Sequence, residues 1–537
     1  MKNEMWNNLP GNQKDKYKTL ITNFASLTEA FTQKSFGDKH VKPFVNSKFQ
    51  ETAFQYAFNA TEEDIANTSF DASITIDSGD KYLVGIKSFL YSSGDQKIAQ
   101  FKSDSSKWAE KFSQIKKNAE EVKRNKGKKR NLDKKNHDIY LELAKDISEL
   151  RNERIRSSRA QLKGFEDTGD VVSVYHVLMP SESEDKKPLI HVGETSYTEI
   201  NIDKVKVLGC TGLKTPNNFR FTDGVHTYKY ASADSQLFMT FNNKDIVVDT
   251  WNVNYISDAM KFFETLSGEV IPDDTAIPYS AVNLDNVLSF SWMLMDKDGE
   301  VNSRSGFNEF NAQSKKSKAD RKRGIINFEN KYKNQLSQDE VKYLDKYLNE
   351  ILLPKKSNKE VKKLQDDKKQ ELRKFADNHD FLKADLINLI YDRPHNEVYI
   401  PLPDSMLFHK EHPNFFKNGL GENLFGEKGK IIKDQEDRTF TLRFMPSKNK
   451  IKGYINQQNG KAIQSPHSQS ILGKWIREKV FQLKDLELLT TEKLNNIGIN
   501  AIRLVKNTKL DTVDVYFIWI DPENPPQDAI GWVGKKR

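Results

Sequence analysis

Between Asp170 and Val253 the chain is divided into six short apolar stretches, and this feature limits the possible fold more than any other. Stretches such as VVSVYHVLM, PLIHVGE and QLFMTF are rich in β-branched and aromatic residues, with Pro, Gly, Asn and Asp clusters between them. That pattern predicts short strands joined by turns. A sheet must therefore form here, between flanking regions whose hydrophobic pattern is different.

The flanking regions alternate between helical and strand-like patterns. Residues 20–60 and about 96–163 have a helical pattern, and residues 311–375 are again helical and basic. The stretch 289–301 has the pattern of a further hairpin, with Asp-Gly near its turn. A second strand-rich unit begins near Tyr391, with strands predicted at NEVYIPLP, RTFTLRFMP, KIKGYINQ, NAIRLVKN and TVDVYFIWI and one helix at SILGKWIREKVFQL. With 537 residues, we expect two to four domains.

Positive charge is concentrated in the helical regions. The net charge is only +8, yet Lys and Arg outnumber Asp and Glu by eleven to three over 111–135 and by eight to two over 315–333. Over 355–374 the ratio is nine to four. Such segregation is typical of a protein that follows a polyanion, although any single run is equally explained as a solvated helix face.

Several classes of protein are disfavoured by the composition. The start, MKNEMWNNLPGNQKDKY, has no apolar signal region, and no stretch reaches the length of about 18 apolar residues that a membrane span requires. We therefore expect a cytoplasmic protein without a membrane partner. The single cysteine, Cys210, excludes an internal disulfide and a multi-cysteine zinc site, and we expect it to be a buried thiol.

The stretch FDASITIDSGDKYLVGIKSF, residues 70–89, has the pattern of a β-hairpin. Folding it symmetrically about Gly79 places Asp71 opposite Lys87, with Ser73 and Gly85 on the same face. The other face is predicted to be buried and carries Ile74, Ile76, Val84 and Ile86. A carboxylate can hold magnesium beside a scissile phosphate, and an ammonium can orient the attacking water. An ordinary surface ion pair is the alternative interpretation.

The order of these residues resembles that of PD-(D/E)XK nucleases, which carry a helix glutamate, a strand aspartate and a strand x-x-lysine. Glu51 lies in a predicted helix, Asp71 opens one strand, and GIK at 85–87 ends with Lys87. The resemblance implies that Asp71 binds Mg²⁺, that Lys87 positions the water, and that Glu51 supports the metal. Gly85 stands where the family has Glu, Asp or Gln, so one ligand is missing, and Asp80 or a carbonyl group would have to replace it. A second QxK, at Gln100–Lys102, lies in a predicted helix and is a weaker candidate for the catalytic lysine motif than GIK at 85–87.

The C-terminal unit contains the segments NEVYIPLP, KAIQS and ILGKWIR. On these segments it resembles the DNA-recognition domain of restriction endonucleases that share the pseudobarrel of plant B3 transcription factors. The resemblance implies two loop arms that clamp the major groove. Their residue types suit base edges and phosphates, and the predicted DNA-binding residues are Arg393, His395, Asn396, Lys461, Gln464, Ser465, Ser468, Gln469 and Arg477.

Some residues of this unit have a simpler interpretation. We expect Ile471 and Trp475 to belong to the core, and Arg477 to be either a DNA ligand or a helix-face cation. His409 and His412, in FHKEHPNFF, have no cysteine beside them, so a metal site there is not expected.

We therefore predict an α/β (α+β) nuclease core with a mixed sheet and added basic helices, followed by a mostly-β pseudobarrel. Residues 1–385 are the predicted nuclease region and residues 386–537 the recognition domain. The predicted function is that of a Mg²⁺-dependent type II restriction endonuclease. Its expected partners are double-stranded DNA, a second copy in a homodimer or higher oligomer, and a cognate DNA methyltransferase. The alternatives are a non-cleaving sequence-specific DNA-binding protein and a repair or defence nuclease acting on modified or damaged DNA.

Overall fold

A computed structural model describes residues 4–31, 42–62, 70–165, 170–183, 187–265, 288–296, 298–301, 306–308, 316–354, 359–391, 397–484 and 487–531. The strands are β1 Thr61–Glu62, β2 Ala72–Thr75, β3 Lys81–Ser88, β4 Asp95–Gln100, β5 Val171–Glu182, β6 Pro188–Ser196, β7 Lys206–Gly212, β8 Thr215–Thr222, β9 Thr227–Ala231, β10 Gln236–Thr240, β11 Val247–Asn252, β12 Ser289–Met293, β13 Ile400–Pro401, β14 Thr439–Phe444, β15 Asn449–Asn456, β16 Ala462–Gln464, β17 Ala501–Asn507 and β18 Thr512–Ile518.

The helices are α1 Glu4–Asn8, α2 Gly11–Ser26, α3 Thr28–Phe31, α4 Ser47–Phe58, α5 Ala109–Arg124, α6 Lys129–Lys135, α7 His137–Lys163, α8 Ala259–Thr265, α9 Lys318–Tyr332, α10 Gln338–Leu352, α11 Lys359–Asp377, α12 Asp380–Tyr391, α13 Ser405–Glu411, α14 Gln469–Lys474 and α15 Thr491–Ile497. A turn of π-helix, Trp475–Val480, follows α14 directly.

The described strands form three sheets. The first is mixed, with the order β1-β2-β3-β5-β6-β11, and β3 runs parallel to β5. The second has the order β4-β10-β9-β8-β7 and is antiparallel throughout. The third curls into a half-barrel with the order β12-β17-β18-β14-β15-β16-β13, in which only β14 and β18 are parallel. The six predicted stretches thus supply β5 to β11 and serve two sheets rather than one.

Helix α4 shows how local sequence sets an element of the first sheet. The Asn46 side chain accepts a hydrogen bond from the Phe49 N–H, which caps the start of the helix, and Asn59 ends it in the left-handed conformation. Ala53, Phe54, Ala57 and Phe58 are buried in a core shared with Ile74 and Val84. The helical spacing read from the sequence is confirmed here.

Helix α7 connects the N-terminal sheets to the C-terminal unit. Its apolar side, including Leu143 and Ile147, lies in the core of the second sheet. Near its end, Ser157 Oγ donates to Val480 O at 2.6 Å, and Trp475 Nε1 donates to Ala160 O at 3.1 Å. The half-barrel is therefore held against a helix that also supports the first two sheets.

Two predicted elements fold differently from expectation. Residues 95–100, predicted as helix, form β4, because pairing with β10 over 130 residues later outweighs the local pattern. Among its described residues, the stretch 289–301 forms one strand and not the predicted pair. Its first half is β12, which pairs with β17, and the turn between Asp296 and Glu300 follows it.

The strand β12 lies within the region predicted as nuclease, yet it belongs to the half-barrel. Phe290, Trp292 and Leu294 are buried in the C-terminal core. Helices α9 to α12, which come between β12 and β13 in the chain, pack around a separate core that includes Leu344, Leu348, Leu372 and Leu386. The boundary between residues 385 and 386 stays a prediction, and the third sheet draws on both sides of it.

Within the described residues, no helix combines the length and the apolar character needed to cross a membrane. Cys210 is a free, buried cysteine, as expected, and burial raises the pKa of its thiol to about 11.

Candidate functional site

The structure brings Asp71 and Lys87 together. Lys87 Nζ donates to Asp71 Oδ2 at 3.3 Å, and both side chains are about 30% exposed. The backbone N–H of Ile86 also donates to Asp71 Oδ2, at 2.6 Å. Within the described residues Asp71 Oδ1 receives no hydrogen bond, so one carboxylate oxygen is available to a ligand.

The pairing that brings them together differs from the predicted register by two residues. Ala72 pairs with Val84, and Thr75 pairs with Lys81. The turn is a three-residue loop, Asp77 to Gly79. Gly79, predicted at the centre of the turn, is the last residue of this loop and has φ +91°. Asp71 consequently lies opposite Gly85, and the long side chain of Lys87 reaches it diagonally. The predicted assignment of side chains to the two faces of the hairpin is nevertheless correct, because a shift of two residues leaves each side chain on the same face.

The missing ligand position is occupied by an aromatic ring. A Cβ atom at Gly85 would lie 2.7 Å from both Cδ1 and Cε1 of Tyr175, which is the neighbour of Gly85 on β5. The Tyr175 ring is itself stacked on Tyr197, with centroids 4.1 Å apart. Burial, with Tyr197 nearby, raises the pKa of the Tyr175 hydroxyl well above its usual range. Position 85 therefore has no room for an acidic side chain.

The other predicted ligands are Glu51 and Asp80. Glu51 lies on α4, whose apolar residues pack in the core shared with Ile74 and Val84, and it forms an ion pair with Lys48 at 3.3 Å. Its role as a metal ligand stays a prediction. Asp80 accepts from Ser78 Oγ in the turn, seven residues from Lys87 along an extended chain and so roughly 20 Å away. Asp80 therefore cannot replace the missing ligand. Within the described residues, no three His, Cys, Asp or Glu side chains form a metal-binding group.

The described chain just after the first predicted arm lies beside the second predicted arm at one edge of the half-barrel. Ile400 pairs with Ile463 and Pro401 with Ala462, so β13 and β16 are antiparallel neighbours. The start of β13 therefore lies beside the end of β16, where the loop 465–469 begins. Arg393, His395 and Asn396 lie outside the described residues.

The predicted residues of the second arm have different environments. Lys461 and His467 are exposed, and Ser468 is half-buried. The side chains of Ser465 and Gln469 hold the loop together: Gln469 Oε1 accepts from the Ser465 N–H at 2.6 Å, and Ser465 Oγ accepts from the Ser468 N–H at 3.2 Å.

Two residues of the following helix are placed against expectation. Arg477 is 2% exposed, and its guanidinium donates to the carbonyls of Phe307 and Glu487 at 2.5 and 2.6 Å. Arg477 is therefore not part of a DNA interface, because its buried guanidinium is bound to these two carbonyls. Ile471, expected in the core, is 57% exposed, whereas Trp475 is buried as predicted.

A polar cluster on the outer face of β15 and β16 was predicted only in part: Gln464, which is 9% exposed, was a predicted DNA-binding residue, whereas Tyr454, Asn456 and Arg438 were missed. Asn456 Nδ2 donates to Gln464 Oε1 at 2.6 Å and to the Tyr454 hydroxyl at 3.0 Å. Arg438 lies over the Tyr454 ring, 5.6 Å from its centroid. The available signal was the alternation in KIKGYIN, which places Lys450, Lys452, Tyr454 and Asn456 on one face.

A cleft of about 570 Å³ borders this cluster. It is lined by Glu427, Lys428, Lys430, Ile431, Arg438, Asn456, Gln457 and Gln458. Lys428 and Gln457 have φ angles of +55° and +64°, a backbone region that costs energy for these residue types and is often found at binding sites. Amides that can read base edges therefore lie beside three cations that can bind phosphates.

His409 is buried in the half-barrel, and His412 is half-buried beside it. His409 Nε2 is 3.1 Å from Gly460 O, and burial lowers the pKa of its imidazole. The His412 ring packs against Phe290 with centroids 4.5 Å apart.

Comparison with known families matches the part of the chain that contains this polar face. Residues 434–508 match the family model of the NgoFVII C-terminal B3-like DNA-binding domain, a domain of a restriction enzyme family. The match spans β14 to β17 and includes Arg438, Asn456 and the loop 465–469. A comparison with curated proteins finds no match to this chain. The C-terminal prediction is thus confirmed at the level of a B3-like DNA-binding domain.

Proposed function

We propose that this protein is a sequence-specific, Mg²⁺-dependent endonuclease of double-stranded DNA, of the type II restriction class. The observation that carries the proposal is the match of residues 434–508 to a restriction enzyme's DNA-binding domain. The half-barrel supplies sequence recognition, and the Asp71–Lys87 pair supplies cleavage. A homodimer or higher oligomer would cut both strands, and a cognate methyltransferase would protect the recognised sequence.

Recognition is assigned to the outer face of β15 and β16 and to the neighbouring loop. Asn456 is a half-buried amide of the type that pairs with adenine edges, and its hydrogen bond to the buried side chain of Gln464 fixes its position. Lys428, Lys430 and Lys461 carry the charge for phosphates. Fixed amides lose little entropy on binding, which favours specificity.

Cleavage is assigned to Asp71 and Lys87. Lys87 would orient the attacking water and offset the charge that develops on the phosphate, and Asp71 Oδ1 would hold the metal. When bound, Mg²⁺ would polarise the phosphate oxygen. One carboxylate is a sparse ligand set, yet Mg²⁺ commonly binds to one or two carboxylates together with substrate phosphates. The residues present therefore fit a metal that binds mainly with the DNA.

A second candidate function is DNA binding without cleavage. It is favoured by the Ile86 N–H, whose 2.6 Å hydrogen bond gives Asp71 a structural role at the start of the hairpin. The Tyr175 ring also occupies the space that a second metal-binding side chain, at position 85, would need. In this case the Asp71–Lys87 ion pair only stabilises the hairpin of β2 and β3.

Lys87→Ala distinguishes the two functions. We expect the variant to bind a duplex as tightly as the wild type and to lose Mg²⁺-dependent cleavage by at least about a hundredfold, the typical contribution of one electrostatic group. Gel shift and plasmid digestion measure the two activities, and Asp77→Asn, an exposed change in the same hairpin turn, is the control. Loss of binding and cleavage together, with a lower Tm, would show that Lys87 is structural.

A further inference from the structure

The four-helix bundle formed by α9 to α12 is an insertion in the recognition unit. The chain enters it from β12 and leaves it into β13, and both strands belong to the half-barrel sheet. An insertion between two strands of one sheet keeps its ends near that sheet. The bundle is therefore part of the DNA-recognition unit in space, although it was predicted as part of the nuclease region.

Three contacts involve the segments on either side of the bundle or the bundle itself. The Tyr399 N–H donates to Gly306 O at 3.1 Å, so the outgoing and returning segments lie side by side. Asn308 forms two buried hydrogen bonds with the backbone of Leu489, of 2.6 and 2.8 Å. The adjacent Leu488 packs against the core of the bundle. These contacts join the bundle to the half-barrel through more than its two connecting segments.

The described segment that precedes the bundle in the chain, 306–308, lies close to the proposed recognition edge. Segment 306–308 contacts the chain at Tyr399, immediately before β13, and β13 pairs with β16 on its other side. Two strand spacings therefore separate this segment from β16, a distance of about 10 Å. The loop 465–469 continues directly from β16, so a duplex read there would pass near the bundle.

The charge of the bundle is unevenly distributed. Helix α9 has five Lys and Arg against two acidic residues, whereas α10 has four acidic residues against two lysines. Ile325, Phe328 and Tyr332 bury one side of α9, and Lys318, Lys322 and Lys333 are exposed. The two neighbouring helices therefore present surfaces of opposite net charge, and α9 presents the one that would attract a polyanion.

We propose that the bundle is a second DNA-contacting element, whose α9 binds the phosphates of the duplex that flanks the recognised sequence. This role rests on the proposed DNA-binding function of the half-barrel. It adds affinity without sequence preference, because phosphate contacts carry no base information. The bundle would thereby lengthen the stretch of duplex covered by each protein molecule.

The test compares two matched double variants in the full chain, with a random-sequence 40-base-pair duplex as the probe. Lys318→Gln/Lys322→Gln removes two charges spaced four residues apart on α9, and Lys342→Gln/Lys346→Gln does the same on α10. All four lysines are exposed, so circular dichroism and Tm should match the wild type. We expect the α9 variant to bind several-fold more weakly, with a slope of log K against log salt that is smaller by about 1 to 2.

The α10 variant should bind like the wild type. Equal losses in both variants would overturn the proposal, because they would show only a general effect of net charge, and wild-type binding by the α9 variant would overturn it as well. If the wild type bound no duplex at any salt concentration, the proposed function would fail together with this inference. Wild-type binding combined with an unaffected α9 variant would remove this inference alone.

Discussion

At the scale of single residues, Gly85 and Tyr175 are in contact across β3 and β5, so the site has no space for a side chain at position 85. The ring cannot easily move, because Tyr197 is stacked on it and Phe241 packs against its edge, with centroids 5.1 Å apart. The glycine that departs from the nuclease pattern therefore has a packing reason. The sequence shows the glycine, but it does not show the ring that covers it, which lies 90 residues later.

Gly85→Ala should consequently destabilise the protein. A Cβ atom 2.7 Å from two atoms of a confined ring forces strands or side chains to shift, and such overpacking costs about 1–3 kcal/mol of unfolding free energy. Urea unfolding would measure the loss. Gly94→Ala is the matched control, since a Cβ atom there has no neighbour within 4 Å, and it should leave the unfolding free energy unchanged. Equal stability of the two variants would contradict the packing account.

At the scale of elements, the sequence predicted the strands with alternating apolar residues and missed those whose pairing decides their conformation. Helix α4 and the strands β14, β15, β17 and β18 follow local patterns. By contrast, β4 was predicted as helix and β16 as loop, and both become strands by pairing with β10 and β15. The strand β12 was predicted, but its partner, some 200 residues later, was not. The hairpin register also depended on the turn, which the sequence did not determine. The Asp71–Lys87 contact was predicted because a two-residue shift preserves the face.

The outer face of β15 and β16 provides a prediction that separates specificity from affinity. Asn456→Ala should lower the preference for the recognised sequence over other duplexes by about 1–3 kcal/mol, because a base-reading amide and its hydrogen bonds are lost. Lys428→Gln/Lys430→Gln should weaken binding to every duplex and reduce the salt slope. Competition binding with recognised and random duplexes measures both effects. Equal effects of the two changes on specificity would contradict the assignment of roles.

At the scale of the whole molecule, the half-barrel is built from distant parts of the chain and rests on α7. Lys493 and Glu153 form an ion pair of 2.6 Å between the two regions, and both side chains are largely buried. The edge strand β12 contributes Phe290 and Trp292 to the half-barrel core. A domain boundary read from composition alone could not include β12, because nothing in residues 289–293 indicates a partner 210 residues later.

A fragment that begins at residue 386 should therefore be unstable. It lacks β12 and also Phe307, which is fully buried and packs edge to face on Phe481 at 5.2 Å. Removal of several buried aromatic residues costs about 3–5 kcal/mol each, which exceeds the stability of a small domain. A fragment of residues 288–537 should fold cooperatively and bind duplex DNA. Cooperative thermal unfolding of the 386–537 fragment would contradict this account of the half-barrel.

The central claim is that one chain reads a DNA sequence with its half-barrel and cuts that DNA with Asp71 and Lys87. The most direct measurement is digestion of plasmid DNA by the purified protein with Mg²⁺, followed by sequencing of the ends. The account predicts discrete fragments whose ends share one short sequence, absent without Mg²⁺ and absent for Asp71→Asn. Tight binding to a defined sequence with no cleavage at any Mg²⁺ concentration would contradict it and would favour the DNA-binding function alone.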